Sequence, residues 1–306
     1  MEPWFSINMA TSVNPLSHSI VRPGLKAKVR DYYTLTKPEV NLLILMTTSA
    51  GYYLGTHGSL NFVGLVNTLL GTLLVASGTA TLNQWMERVW DGKMRRTASR
   101  PLPSGRLSMP EAFWFGCILS TIGGLYLAVM INPLAAFLAI STLLSYLIVY
   151  TPLKRKTPLC TLLGAIPGAM PTLIGWGAAS GHIDPAAWFL FAILFLWQFP
   201  HFLAIALMYQ DDYDRAGYRM LPRFDVDARF TRAEILGFSV VLVLVTLLPT
   251  IHAGFPYLAA MLSSGAFLLY HVVRLTKSAS KTLASRVVHA SVIYLPVVLV
   301  IIAWKR

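Results

Sequence analysis

The chain has 306 residues, of which 55% are hydrophobic and only 12% are charged, and its formal net charge is +12. Soluble domains carry about 25% charged residues, so this composition argues against an ordinary soluble domain and indicates a polytopic membrane protein. The positive charge does not indicate a nucleic-acid partner, because it is confined to short segments between long apolar runs.

The first 34 residues are polar. They lack the apolar core and the small-residue cleavage site of a secretory signal peptide. Four basic residues lie near the first apolar run: Arg22, Lys26, Lys28 and Arg30. We therefore predict a cytoplasmic N-terminal tail over residues 1–34, part of which lies along the membrane surface. A membrane domain is predicted over residues 35–306.

Nine apolar segments follow, each close to the roughly 20 residues that a helix needs to cross a bilayer. They cover residues 39–56, 62–84, 110–131, 133–150, 158–180, 185–209, 233–252, 255–275 and 287–304. We predict an all-α membrane protein whose nine transmembrane helices form a bundle around a central cavity. Cys117 and Cys160 both lie inside apolar runs, and no CxxC spacing occurs, so the cysteines indicate no disulfide framework.

The Lys and Arg residues occupy alternate connections in this series. The tail and the connections after segments 2, 4, 6 and 8 hold 23 of the 25, and the final two, Lys305 and Arg306, end the chain. The positive-inside rule then predicts a cytoplasmic N-terminus and an outside C-terminus. We expect an integral protein of a bacterial plasma (inner) membrane, with the mitochondrial inner membrane as the alternative.

Two of the inner connections are long, one after segment 2 and one after segment 6. Because they are four helices apart, the chain is predicted to contain four helices, a pseudo-repeat of four more, and one final helix. Both long connections carry acidic residues. In membrane proteins with internal repeats, the functional site tends to lie where the halves meet.

The acidic residues of these connections are spaced as a site would require. Asn83, Glu87 and Asp91 lie at i, i+4 and i+8, which on a helix forms a column of oxygen-bearing side chains about 12 Å long. Asp211 and Asp212 follow segment 6 directly. Hard oxygen ligands favour Mg²⁺, and the neighbouring arginines favour a polyphosphate. Together they predict a Mg²⁺-diphosphate site at the cytoplasmic mouth of the bundle. The alternative is that these charges only mark the topology.

The same stretches resemble a known family. "NQWMERVWDGKMRRTASRPLPSGR" (83–106) resembles the first signature of the UbiA superfamily of intramembrane prenyltransferases, and "YQDDYDRAGYRMLP" (209–222) resembles the second. Glu87 stands where the superfamily more often has Asp, and the second stretch lacks a clean DxxxD. The resemblance extends from about residue 34 to the end of the chain.

Within the superfamily, shorter motifs are similar to the protohaem IX farnesyltransferase (haem O synthase) branch. They are "LTKPEVNLLIL" (35–45), "RPLPSGR" (100–106), "YTPLKRKTP" (150–158), "WQFPHF" (197–202) and "AGYRMLP" (216–222). This resemblance implies farnesyl diphosphate as donor, the vinyl group of haem b as acceptor, haem O as product and Mg²⁺ as cofactor. A downstream haem A synthase or terminal oxidase is the candidate partner.

On this interpretation each candidate residue has a role. Asp211 would assist in binding Mg²⁺. The main oxygen ligands would come from four residues: Asn83, Glu87, Asp91 and Asp212. The departing diphosphate would be neutralised by four basic residues, which could instead bind the haem propionates: Arg96, Arg100, Lys154 and Arg155.

The seven histidines raise the question of haem contact. His201 lies in segment 6, 11 residues before Asp212, and is the candidate for an axial contact or a hydrogen bond to haem. The alternative is a buried histidine bonded to a backbone carbonyl. His57, His182 and His252 fall on outer connections, and we assign them no specific role.

Two other functions compete with this interpretation. A UbiA-type enzyme with an aromatic acceptor is disfavoured by "WQFPHF". A secondary transporter would share the helix count and the repeat, but it would usually place charge near the bilayer midplane, where this sequence has almost none.

Overall fold

A computed structural model describes residues 24–249 and 254–304, and across them every regular element is helical. The helices are α1 Leu25–Leu35, α2 Pro38–Gly55, α3 Phe62–Asp91, α4 Met109–Met130, α5 Pro133–Leu144, α6 Thr151–Leu153, α7 Cys160–Ser180, α8 Pro185–Met208, α9 Gln210–Ala216, α10 Arg229–Leu247, α11 Phe255–Lys277 and α12 Lys281–Trp304. A π-helical stretch, Ser145–Tyr150, joins α5 to α6. Residues 1–23 of the predicted tail, His252, Lys305 and Arg306 lie outside the described residues.

Local capping chemistry sets where several helices begin. The side chain of Asn61 accepts a hydrogen bond from the amide of Gly64 at the start of α3. Ser108 and Glu111 form a reciprocal capping box on α4. Proline occupies the first turn of α2, α4, α5, α8 and α11, where its missing N–H costs nothing.

Within the described residues, eight helices are long and apolar enough to cross a membrane: α3, α4, α5 with α6, α7, α8, α10, α11 and α12. The chain is therefore an integral, multi-pass, all-α protein, as predicted, and the predicted count of nine is approximate. The ninth long helix is α2, whose 18 residues include a polar face turned towards other helices. Asn41 on this face is buried and donates to the hydroxyl of Ser77 on α3 at 2.9 Å.

Helix packing follows the predicted four-plus-four-plus-one arrangement. Consecutive helices pack along α2–α3–α4–α5 in the first half and along α7–α8–α10–α11 in the second, while α12 packs on α8 and α11. The halves meet mainly where α2 and α5 contact α7. Large buried side chains such as Trp197, Leu173 and Tyr294 belong to one continuous core.

All five basic connections come together at one end of the bundle. Side-chain contacts link them pairwise: Lys28 with Glu111, Arg106 with Asp31, Lys154 with Glu87, Lys281 with Asp211, and Arg232 with the carbonyl of Thr276. These contacts gather the charges at the end where α2 begins and α3 ends. Which side of the membrane this end faces stays a prediction.

Helix α1 covers the described part of the predicted tail. Asp31 on one face is buried and paired with Arg106 at 2.9 Å. Leu25, Val29 and Tyr33, at i, i+4 and i+8, form an exposed apolar stripe on another face. A helix with this pattern is suited to lie along a membrane surface. That the tail lies there stays a prediction.

Candidate active site

A polar cavity of about 140 Å³ lies at the charged end of the bundle, where the two long connections meet. Its lining comes from the residue before α2, the last turns of α3, the segment around α6 and both long connections: Lys37, Asn83, Glu87, Asp91, Met94, Arg96, Arg100, Tyr150, Lys154, Tyr213, Tyr218 and Met220. Six of the sequence-predicted site residues are in this lining: Asn83, Glu87, Asp91, Arg96, Arg100 and Lys154.

Helix α3 supplies the acidic side of the cavity. It has 30 residues and continues beyond its apolar part, so that Asn83, Glu87 and Asp91 occupy successive turns of its last portion. All three side chains are buried, with exposed fractions of 1%, 6% and 1%. The i, i+4, i+8 spacing therefore places three oxygen-bearing groups in one enclosed space.

Each acidic group has a basic partner. Lys154 Nζ lies 3.0 Å from Glu87 Oε1, and Arg100 Nη1 lies 2.8 Å from Asp91 Oδ2. The side-chain nitrogen Nδ2 of Asn83 donates a hydrogen bond to Glu87 Oε2 at 3.0 Å. Buried charges are costly unless they are paired and hydrogen-bonded, so these contacts allow two carboxylates to stay ionised inside the protein.

Lys37 is a site residue that the sequence interpretation missed. Its Nζ donates to Asn83 Oδ1 at 2.9 Å. The residue precedes α2 with φ at 52°, in the left-handed region, which costs a non-glycine residue about 1–2 kcal/mol. Burial, followed by the neighbouring charges of Arg100 and Lys154, lowers the pKa of Lys37 to about 7.

The basic side chains are oriented by aromatic rings. The guanidinium of Arg96 lies 4.9 Å from the ring centre of Tyr209, and Lys154 Nζ lies 4.5 Å from that of Tyr150. Burial is the largest single influence on the pKa of Lys154 and lowers it, but the Glu87 carboxylate and the neighbouring tyrosines together raise it well above its usual value. Lys154 is thus a permanent cation at the cavity wall.

Arg155 is not part of this lining. Its guanidinium stacks over Trp90 at 3.8 Å, outside the cavity. The structure therefore separates Arg155 from the other three basic residues predicted to bind the diphosphate.

Asp212 holds the two long connections together. Its carboxylate accepts hydrogen bonds from the backbone amides of Arg95 and Arg96, each at 3.3 Å, and pairs with Arg215. Asp212 is buried but is not part of the cavity lining. Its observed contacts orient the segment that carries Arg96.

Asp211 points away from the other acidic groups. Its side chain is 69% exposed and pairs with Lys281 Nζ at 2.7 Å. A hydrogen bond from Lys281, together with its charge, lowers the pKa of Asp211. The structure does not bring Asp211 into the cavity.

His201 lies at the contact between α8 and α12. Its Nδ1 is 2.8 Å from the hydroxyl of Ser291, and its ring stacks on Trp197 with 4.6 Å between centroids. The indole N–H of Trp197 donates to the carbonyl of Ser291 at 2.6 Å. His201 does not line the polar cavity.

The donor set of the cavity fits Mg²⁺. Two carboxylates and one amide oxygen are hard ligands, and Mg²⁺ is usually held by one or two carboxylates together with substrate phosphates and water. The cavity also presents four basic side chains, which would repel a bare cation but suit a metal bound to a polyphosphate.

Three tyrosines, which were not among the predicted site residues, also belong to the lining: Tyr150, Tyr213 and Tyr218. A signal for each was present in the sequence. Tyr150 precedes Lys154 by one helical turn, Tyr213 directly follows Asp212 in "YQDDYDRAGYRMLP", and Tyr218 lies in "AGYRMLP". Lys37 likewise lies in "LTKPEVNLLIL". Burial, followed by the nearby Glu87 carboxylate, raises the pKa of Tyr218, which keeps its hydroxyl protonated as a donor.

Comparison with known proteins agrees with this geometry. Residues 44–293 match the UbiA prenyltransferase family. A protoheme IX farnesyltransferase from Solibacter usitatus (strain Ellin6076) is 47% identical over 281 residues, which cover 88% of this chain and 96% of that protein.

Solved structures share the fold. A structure of digeranylgeranylglyceryl phosphate synthase matches with a TM-score of 0.74 at 20% identity, covering 91% of this chain and 98% of that one. A UbiA homolog from Archaeoglobus fulgidus bound to GPP and Mg²⁺ matches with a TM-score of 0.63 at 15% identity, covering 89% and 99%. At these identities the likeness shows the fold alone.

Proposed function

The chain belongs to the UbiA prenyltransferase family, and from that premise we propose that it transfers the farnesyl group of farnesyl diphosphate to a vinyl group of haem b, giving haem O. The name of the relative from Solibacter usitatus supports these substrates. The observation that carries the proposal is the cavity in which buried carboxylates face four basic side chains.

The charge of the cavity favours a metal-bound diphosphate over either ion alone. Glu87 and Asp91 provide two negative charges, and four basic residues oppose them. This excess of positive charge disfavours a bare divalent cation and attracts an anion with several charges. The A. fulgidus homolog, bound to GPP and Mg²⁺, is a precedent for such a pair within the fold.

We propose that Asn83, Glu87 and Asp91 hold Mg²⁺, which would neutralise charge on the diphosphate as the allylic C–O bond breaks. With Glu87 and Asp91 serving as ligands, Lys154 and Arg100 are released from their ion pairs and can donate to phosphate oxygens. Arg96 and Lys37 donate from the other walls. Charged donors that face the leaving group stabilise the negative charge that develops on it in the transition state.

In the reaction, the diphosphate leaves with the electron pair of the C–O bond, and farnesyl C1 bonds to a vinyl carbon of haem b. Water then adds to the other vinyl carbon and loses a proton, which gives the hydroxyethylfarnesyl side chain of haem O. The chain must keep water away from the allylic cation until the new C–C bond forms. The apolar helices around the cavity meet this need.

The size of the cavity suits the diphosphate head group of the donor and not the whole substrate. Pockets for whole drug-sized ligands measure about 300–1,000 Å³, whereas this one measures about 140 Å³. The farnesyl chain and the haem would therefore have to extend beyond this cavity, along the apolar helices. We propose that His201 contacts the haem through Nε2, because its Nδ1 is engaged by Ser291.

Asp212 is proposed as a positioning residue. Its bonds to the amides of Arg95 and Arg96 hold the basic segment over the cavity. Asp211, which is exposed and paired with Lys281, is proposed to have no more than a supporting role at the cavity mouth.

The proposal is tested by incubating purified protein in lipid with haem b, farnesyl diphosphate and Mg²⁺ and measuring the mass of the haem. Wild type should form haem O, and EDTA should stop the reaction. Asp91→Asn should lower turnover on the order of 10²–10³-fold, because a metal ligand and transition-state charge are lost. Asp227→Asn, at an exposed acid of the second connection, should retain full activity.

Two results would separate the roles of the acids. Asp91→Asn should raise the Mg²⁺ concentration needed for half-maximal rate. Asp212→Asn should leave that concentration unchanged and weaken farnesyl diphosphate binding by roughly 10–100-fold, in line with about 1.5–3 kcal/mol for hydrogen bonds to a charged group. Normal turnover in Asp91→Asn would disprove the proposed site. Prenylation of an aromatic acceptor but not of haem b would show that haem b is not the acceptor.

A further inference from the structure

Three polar side chains cluster at the end of the bundle opposite the candidate active site. His57 belongs to the connection between α2 and α3, and His182 and Asp184 belong to the connection between α7 and α8. One potential ligand atom from each residue lies within 4.8 Å of the other two. The imidazole rings of His57 and His182 are parallel, with 6.3 Å between their centroids.

The backbone orients His182 for a metal. Its Nδ1 lies 2.9 Å from the carbonyl oxygen of Ser180, so the tautomer that donates from Nδ1 is favoured. This leaves the lone pair on Nε2, which lies 3.8 Å from Asp184 Oδ2. A histidine ligand usually donates its other ring N–H to a carbonyl or carboxylate in this way. Gly181, at a φ of 76°, makes the left-handed turn that ends α7 before His182.

Asp184 is oriented by a helix start. Its Oδ1 caps α8 by accepting from the amides of Ala186 at 3.1 Å and Ala187 at 3.3 Å. These bonds immobilise the carboxylate and leave Oδ2 directed at His182. The residue therefore has one oxygen committed to the fold and one available as a ligand.

We propose that His57, His182 and Asp184 form a binding site for a divalent transition metal of the zinc class. Imidazole nitrogens select such ions over Mg²⁺ and Ca²⁺. Ligands about 2.0–2.1 Å from a tetrahedral ion lie roughly 3.3–3.4 Å apart. The ligand atoms lie within 4.8 Å of one another, so their separations would have to close by about 1.5 Å at most. Three protein ligands leave the fourth position to water.

Metal binding here would connect the two halves of the protein. The site joins the end of α2 to the end of α7, the two helices that pack most closely across the halves, where a Cβ on Gly51 would lie 2.1 Å from the carbonyl oxygen of Thr172. Helix α2 begins beside Lys37, at the opposite end from this site. The metal would therefore stabilise the frame of the active site without taking part in the reaction.

The test uses the full-length protein without an affinity tag, stripped with EDTA and titrated with Zn²⁺ against a chromophoric chelator in excess Mg²⁺. Wild type should bind one equivalent with micromolar or tighter affinity, and Zn²⁺ should raise its thermal midpoint. Co²⁺ at the same site should show the visible absorption of a tetrahedral complex.

Variants identify the ligands. His57→Gln, His182→Gln and Asp184→Asn should each weaken Zn²⁺ binding by at least about 10–100-fold, since even outer-shell changes have effects of that size. Asp184→Asn keeps the oxygen that caps α8, so its fold should be preserved. His289→Gln, at an exposed histidine outside the cluster, is the matched control and should bind like wild type.

Other outcomes would overturn the proposal. Zinc binding that survives in His182→Gln but is lost in Asp91→Asn would place the ion in the acidic cavity. Equal losses in His289→Gln and His182→Gln, or an affinity of wild type for Zn²⁺ that is weaker than micromolar, would show nonspecific binding. Because none of the three ligands lines the acidic cavity, failure of zinc binding here would leave the proposed transferase activity, which is tested by haem O formation in wild type, untouched.

Discussion

Lys37 enters the cavity because its backbone adopts the left-handed conformation, which directs its side chain towards Asn83. Burial, followed by the charges of Arg100 and Lys154, lowers its pKa from 10.5 to about 7. The cationic form is therefore lost from the free protein as the pH rises through about 7. A bound diphosphate requires that cation, so binding above this pH takes up a proton.

This linkage predicts a pH dependence of binding. The affinity for an unreactive farnesyl diphosphate analogue should fall between pH 7 and pH 9 by as much as about tenfold per pH unit. Lys37→Arg should flatten the curve, because a guanidinium stays charged over this range. Lys156→Arg, at an exposed lysine outside the cavity lining, is the matched control. If affinity depends on pH in the same way in wild type and in Lys37→Arg, Lys37 does not bind the diphosphate.

His201 contacts Ser291 and Trp197. Either a structural or a substrate-binding histidine could make these two contacts, so they do not distinguish the two roles. We expect His201→Ala to reduce haem O formation and to perturb the absorption of bound haem while diphosphate affinity survives. Ser291→Ala is the comparison, because it removes the partner of Nδ1 and keeps the imidazole. Both variants should lose about 1–3 kcal/mol of stability through unsatisfied groups.

The measurement for His201 is turnover normalised to folded protein, together with the haem spectrum. Normal values of both in His201→Ala would leave this histidine a packing residue. A loss in His201→Ala that exceeds the loss in Ser291→Ala would support contact with the haem.

At the scale of the elements, the closest contact between the halves depends on glycine. A Cβ on Gly175 of α7 would lie 2.0 Å from the carbonyl oxygen of Thr48 on α2, and backbone atoms cannot move aside as a flexible side chain could. Small residues of this kind allow transmembrane helices to approach closely. The position of α2, and with it Lys37, is determined by this contact.

Gly175→Ala should therefore separate α2 from α7, lower the thermal midpoint and weaken diphosphate binding. Gly237→Ala is the control, because a Cβ on this α10 glycine meets nothing within 4 Å. That change should be neutral or stabilising by up to about 1 kcal/mol through helix propensity. Thermal unfolding of both variants and their diphosphate affinities check the prediction, which fails if Gly175→Ala behaves like Gly237→Ala.

At the scale of the whole molecule, the described basic connections gather at the end that carries the cavity. The positive-inside rule places that end in the cytoplasm. Reporter fusions after residues 57, 106, 182, 225 and 306 should therefore read out, in, out, in and out.

Reporters after 106 and 225 are the decisive pair, because Asp212 binds the amides of Arg95 and Arg96 and so requires both long connections on one side. Opposite locations for these two reporters would contradict both the topology and the site. The same fusions would place the His57, His182 and Asp184 cluster outside.

Local sequence was sufficient for much of this protein. The lengths of apolar runs identified the helices, since crossing a bilayer requires a contiguous run. The 3.6-residue period aligned Asn83, Glu87 and Asp91, because all three belong to one helix. The count of nine was approximate, because α2 turns its polar residues towards other helices and is therefore less apolar than the other spans.

Only the tertiary structure decided which distant residues share a site. Lys37 and Asn83 are 46 positions apart, and their contact depends on how α2 packs against α3. Asp211 and Asp212 are adjacent in sequence, yet one faces solvent and the other binds the first connection, because successive residues of a helix point in different directions. His57 and His182 come from separate halves, and the close packing of α2 on α7 brings them together. Such contacts depend on the packing of whole helices, which no single stretch of sequence specifies.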